Sequence, residues 1–163
     1  MKQIYILIIS GLLSASMNAE TLIVDMNPKV PSAATKASHQ EVIASLPFEN
    51  TEDFRLAQKG LLAKPDALVI QYKNDRVVWD MTGLDYLNGD RPETVNPSLW
   101  RQAQLNAIHG LFEVTEGIYQ VRGYDLANVT FIRGDTGWIV VDPLTASETM
   151  DAAMDLVNSH FGK

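Results

Sequence analysis

Side chains able to do covalent, acid–base or metal chemistry are few in this chain and widely spaced. Cysteine is absent, which removes a thiolate nucleophile, a zinc–thiolate site and any disulfide. The three histidines, His39, His109 and His160, form no H-x-H or H-x-x-x-H pair of the kind that metal sites use. His160 falls in the last turn of an expected helix, where a partly cationic imidazole suits the negative dipole end. All three read as structural or solvent-facing residues. The letters RGD at Arg133, Gly134 and Asp135 belong to the rising edge of an expected hairpin, whose turn itself needs Asp and Gly. Asn128 opens the glycosylation pattern N-V-T, but it enters a strand, and only a eukaryotic secretory route would use it. Asp142 has the most specific setting, ending the apolar run "WIVV" just before Pro143 and a helix start. Two roles fit it: capping or hydrogen-bonding the turn at Thr145, or lining the floor of a pocket at the strand ends.

The elements that must hold these residues are those of one ordinary globular domain, at 46% hydrophobic and 20% charged over 163 residues. The beginning departs from that average. Lys2 precedes the apolar run "IYILIISGLL", and small or polar residues then lead to Ala19, which is the layout of a secretory signal peptide. Cleavage is expected at Ala19, or after Ala15, since Met17 interrupts the small-residue pattern. The run is too short for a permanent membrane anchor, which needs roughly 20 apolar residues. A net charge of −7 with no basic run argues against nucleic acid and anionic membrane surfaces as partners.

Helical patterns are expected in the stretch 32–63, one through "ATKASHQEVIASL" ended by Pro47 and one opening at "NTEDF". "ALVIQYKNDRVVWDM" predicts a hairpin turning on the two residues Asn74 and Asp75. "NGDRPETVNP" reads as an ordered surface loop. A helix follows, with Asn96 as N-cap, Pro97 at its first position and Gly110 as its stop, and with Trp100 packed on a neighbouring sheet. Strands then flank a Glu116-Gly117 turn, and a second hairpin turns around Asp135, Thr136 and Gly137. "WIVVD" is apolar on both faces, as in a strand covered on both sides. "TASE" predicts a capping box at Thr145, opening a helix with Met150, Ala153, Met154, Val157 and Phe161 on one face.

The strings "VVWDM", "TVNPSLWRQAQLN" and "GLFEVTEGIYQVRGYDLANVTFIRGDTGWIVVDPLT" closely resemble the alkyl sulfatases, a branch of the metallo-β-lactamase superfamily that hydrolyses alkyl sulfate detergents. The likeness spans 54–162. It implies an αββα sandwich with two zinc ions between the sheets, an alkyl sulfate substrate and a homodimer. It also implies metal ligands beginning with H-x-H-x-D-H on the loop after the strand that follows the first helix. Here that helix is 145–161, and no such motif occurs in the chain.

The resemblance therefore implies an α+β fold: an N-terminal helical arm and β-hairpin, then the first half of a metallo-β-lactamase sandwich, truncated. The expected divisions are a signal peptide at 1–19, a helical and hairpin region at 20–110, and an incomplete metallo-β-lactamase-like domain at 111–163. On the same analogy Asp142 lies beneath the metal site and the loop 124–127 forms a flap over it, so Tyr124, Asp125, Asn128 and Asp142 line the substrate pocket. No catalytic residue is assigned within the chain, and none of the family's zinc is expected to bind it. Two functional readings follow. The chain is the exported, periplasmic or secreted N-terminal part of a zinc-dependent sulfatase of primary alkyl chains, inactive alone, or it is a non-catalytic secreted binding or structural module keeping half of the fold.

Overall fold

Ser32 begins the described architecture by capping a helix: its hydroxyl accepts from the Thr35 N–H at 3.1 Å and starts α1, Ala33–Ser45. The computed structural model describes residues 30–73 and 75–162, so the expected signal peptide and Asn74 lie outside it. α1 stops before Pro47. α2, Glu52–Ala57, carries Glu52 and Asp53 in its first turn, where acids complement the dipole. The helical pattern expected as far as 63 ends at Ala57. Gly60, at φ +78°, turns the chain into a strand, β1, Leu61–Ala63.

β2, Val69–Gln71, and β3, Val77–Asp80, form the expected hairpin, but not on a two-residue turn. The Tyr72 N–H donates to the Arg76 carbonyl at 2.8 Å, and the register shifts between Ile70 and Gln71. The connection is longer by this bulge, with Asp75 at φ +61°. A 3-10 segment, Thr82–Asn88, follows and leads into the loop 89–95. α3, Pro97–Asn106, starts as expected: Asn96 Oδ1 accepts from the N–H of Ser98 at 2.9 Å and of Leu99 at 3.4 Å. It ends at Asn106, short of Gly110. Trp100 is buried with its ring 5.9 Å from that of Tyr86, so its aromatic partner is the 3-10 segment rather than a sheet.

Four strands then run back and forth: β4, Gly110–Thr115, β5, Ile118–Arg122, β6, Val129–Arg133, and β7, Trp138–Val141. The antiparallel sheet has the order β1-β4-β5-β6-β7. The two expected turns are present, with Gly117 at φ +76° and the Gly134 N–H donating to the Gly137 carbonyl at 2.8 Å. Gly110 is not a helix stop but the residue that lets β1 approach β4. Its φ is +135°, and a Cβ there would lie 2.5 Å from the Ala63 carbonyl oxygen.

α4, Ser147–Phe161, crosses one face of this sheet. Tyr119 pairs with Phe131 and Val121 with Val129, which sets these four side chains on one face by strand alternation. They bury there with Leu111, with Ala153 and Val157 of α4, and with Leu68 and Ile70 from the β2–β3 hairpin. Phe161 closes the end of this core, 4.6 Å from the Tyr119 ring and 5.5 Å from that of Trp138, with the Arg133 guanidinium 4.6 Å from its own ring.

β7 departs from expectation. Only Trp138 and Val140 pack on the α4 side, whereas Ile139 and Val141 are 60% and 50% exposed. No described element covers the second face at this edge, so a two-sided apolar strand has one wet side. The start of α4 also differs. Its N-cap position is Ala146, with no side-chain cap, because Thr145 is engaged elsewhere.

Candidate functional site at the sheet end

The engagement of Thr145 defines a polar cluster at the edge of the core, in which Asp125 and Thr149 are buried and Thr145 itself is exposed. Gly123, at φ +76°, carries the chain out of β5 while packed against His109, whose Cβ would lie 2.5 Å from any added Cβ. The Trp79 indole N–H donates to the Gly123 carbonyl at 2.7 Å and fixes this exit to β3. The next two residues are the expected pocket residues Tyr124 and Asp125, and both are buried, at 3% and 7% exposure.

Tyr124 points into the core shared by the sheet, the β2–β3 hairpin and α4. Burial pushes its phenol up to about 12, so it is neutral at any physiological pH. It also lines a groove of about 630 Å³ between β2 and α4, along which Glu148, Asp151 and Asp155 form an acidic edge.

Asp125 behaves in the opposite way. Burial acts to raise its pKa, but donors to the carboxylate outweigh it and hold the group at about 2. The Thr145 hydroxyl donates at 2.6 Å to Oδ1 and lies 2.8 Å from Oδ2, while the Thr145 N–H reaches Oδ2 at 2.9 Å. The Thr149 hydroxyl, itself buried, lies 2.6 Å from Oδ2, and the Leu126 N–H donates to Oδ1 at 2.6 Å. Asp125 thus joins the loop after β5 to the first turn of α4. A carboxylate so satisfied is an anchor rather than a free base.

Asn128 and Asp142 are exposed. Asp142 does not bind the Thr145 turn; Asp125 does. Instead Asp142 sits at φ +57°, its carbonyl accepting from the Leu144 N–H at 2.8 Å across Pro143, and Leu144 is also left-handed at φ +67°. The structure therefore places the four expected pocket residues on two loops at one end of the sheet, two of them buried and two exposed. Sequence reasoning missed Thr145 and Thr149 as partners of Asp125. The T-x-x-x-T spacing, with Thr149 on the core face of α4, was the available signal.

The histidines are not brought together. His39 Nδ1 lies 3.1 Å from the Glu93 carbonyl. His109 Nδ1 lies 2.9 Å from the Ala107 carbonyl, so that nitrogen carries a proton, and Nε2 is buried without a partner among the described residues. Among the described residues no three His, Asp or Glu side chains are grouped so as to hold a metal ion.

No protein-family model matches the chain. It is 49% identical over 139 residues to an (R)-specific secondary-alkylsulfatase of Pseudomonas sp, covering 85% of this chain and 21% of that protein. It is 44% identical over 137 residues to a linear primary-alkylsulfatase of Pseudomonas sp, covering 83% and 20%. It is 43% identical over 128 residues to the alkyl/aryl-sulfatase BDS1 of Saccharomyces cerevisiae, covering 78% and 20%. Among solved structures, the stereoselective inverting sec-alkylsulfatase Pisa1 from Pseudomonas sp. superposes with a TM-score of 0.77 at 51% identity, over 83% of this chain and 21% of that one. The chain spans about a fifth of the length of the curated relatives it matches. Across roughly four-fifths of its own residues, in sequence and in fold, it is a homologue of the alkylsulfatases.

Proposed function

We propose that this chain forms the N-terminal part of an exported, zinc-dependent alkylsulfatase that hydrolyses the sulfate esters of alkyl chains, with primary alkyl sulfates as the first substrates to test. The observation that carries the reading is the 49% identity over 139 residues to a secondary-alkylsulfatase, joined to a matching fold. On this reading the five-stranded sheet and α4 are one half of a metallo-β-lactamase sandwich. The wet side of β7, with Ile139 and Val141, is where a second sheet would pack.

The described residues of this chain do not fit the family's two zinc ions. The histidines lie on α1, before β4 and in the last turn of α4, and the buried carboxylate of Asp125 is filled by protein donors. On this reading the metal and hydrolytic water are held by the part of an alkylsulfatase that this chain does not match. Tyr124, Asp125, Asn128 and Asp142 contribute the wall of the pocket at the sheet end, and the protein acts as a homodimer. The apolar segment at 4–13 directs export, to the periplasm or medium of a bacterium.

The test compares this chain with a version extended by a relative's remaining sequence, each incubated with dodecyl sulfate while free sulfate is measured. The extended protein should release sulfate and retain zinc after dialysis against a mild chelator, and the chain alone should do neither. Sulfate release by the 163 residues alone would defeat the proposal.

A further inference from the structure

We infer that Asp125 is a positioning residue: by gripping Thr145 and Thr149 it locks the loop after β5 onto the β7–α4 turn and so fixes the backbone that presents Asp142. Three observations converge on this. Asp142 and Leu144 are two of the three non-glycine residues with positive φ among the described residues, and they fall in one turn, separated by Pro143. Such conformations persist only where the surroundings over-determine them, and they concentrate at functional sites. The turn has a single internal backbone bond, from the Leu144 N–H to the Asp142 carbonyl. Its next hydrogen-bonded residue is Thr145, whose N–H and hydroxyl both end on Asp125.

The anchor is built rather than incidental. Thr149 is 1% exposed, and its hydroxyl lies between the Asp125 carboxylate at 2.6 Å and the Ala146 carbonyl at 2.9 Å. A hydroxyl has one proton, so it donates to one acceptor and is held near the other. Asp125 has no cation within ion-pair distance among the described residues, which makes hydroxyl and amide donors its stabilising partners. In Asp125→Asn a single acceptor oxygen remains, so either the Thr145 N–H, which ends on Oδ2, or the Leu126 N–H, which ends on Oδ1, would face an amide NH2.

The role in turnover rests on the alkylsulfatase reading, and the experiment separates the two. In the version extended by a relative's remaining sequence, kcat and KM for dodecyl sulfate are measured for Asp125→Asn, Thr149→Val and Thr149→Ser, well below their thermal midpoints. Amide hydrogen exchange at Leu126 and Thr145 is followed in the same samples. Asp125→Asn and Thr149→Val should lower kcat about tenfold to a hundredfold with a smaller change in KM, as misplaced site geometry does. Both should lose protection at Thr145. Thr149→Ser keeps the hydroxyl and should retain wild-type kcat and protection. An Asp125→Asn protein with unchanged Thr145 exchange or undiminished kcat overturns the proposal, as does Thr149→Ser falling as far as Thr149→Val. If the unsubstituted extended protein released no sulfate, the functional reading would fail, and the exchange data alone would still decide whether Asp125 holds the turn.

Discussion

Replacing Gly110 with alanine isolates the cost of bringing β1 against β4. A Cβ at this position would lie 2.5 Å from the Ala63 carbonyl oxygen, 2.9 Å from Leu61 Cδ1 and 3.0 Å from Lys64 Cβ, and the first of these is backbone that cannot swing aside. Relief requires β1 to retreat, which breaks pairing at Ala63 and Leu111 and opens space beside a fully buried leucine. The φ of +135° adds a conformational cost of about 1–3 kcal/mol for any L side chain. With the overlap and lost packing, which are typically about 1–3 kcal/mol for an overpacked site, Gly110→Ala should destabilise by about 2–6 kcal/mol. Gly117→Ala supplies the internal control. Gly117 is also left-handed, at φ +76°, but nothing lies within 4 Å of an added Cβ, so its cost should be only the conformational part, about 1–2 kcal/mol. Urea unfolding followed by tryptophan emission gives both values on the same scale. Equal destabilisation by the two substitutions would show that the β1–β4 approach imposes no steric demand and would refute the reasoning.

Three other outcomes are expected. Asp125 has a folded pKa depressed to about 2, so its stabilisation is fully present above its ordinary value near 4 and is lost as pH falls through 2; the gap in urea midpoint between the wild type and Asp125→Asn should close over that window, and parallel profiles from pH 5 to 2 would contradict it. Arg101 binds the Asp53 carboxylate, the Phe48 carbonyl and the Asn50 carbonyl, with its guanidinium 4.8 Å from the Phe54 ring, so Arg101→Ala should expose the segment 46–51 to rapid proteolysis while the sheet stays resistant. The isolated chain should oligomerise through its uncovered sheet face, and the pair Ile139→Thr and Val141→Thr should shift light scattering toward monomer.

Local chemistry made part of this architecture legible. Asn96 followed by Pro97 fixes a helix start by itself, and Glu116-Gly117 and Asp135 to Gly137 encode their turns within a few residues. The core face of α4 was readable because Ala153 and Val157 repeat at helical spacing. β1 was not, since three residues become a strand only when a distant partner supplies the hydrogen bonds. Gly110 looked like a helix stop because its glycine requirement comes from Ala63, far away in sequence. At the sheet end, Tyr124, Asp125 and Asn128 were named as pocket residues through family resemblance alone, and Asp142 also through its place at the end of an apolar strand. That Asp125 rather than Asp142 holds Thr145 depends on a contact across 20 residues, which no local pattern encodes.

The order of strands in the sheet also sets a timetable. β4 through β7 are consecutive antiparallel neighbours joined by short turns, so each pairing closes a small loop and needs little search. β1 joins the same sheet only by closing a loop of about 50 residues, an entropic cost that the other pairings have largely escaped. The β4–β7 meander is therefore expected to assemble first and the arm to dock last, its capture gated by the narrow passage at Gly110. During synthesis β1 leaves the ribosome long before its partner exists, and must wait unpaired while the intervening hairpin, 3-10 segment and α3 are made.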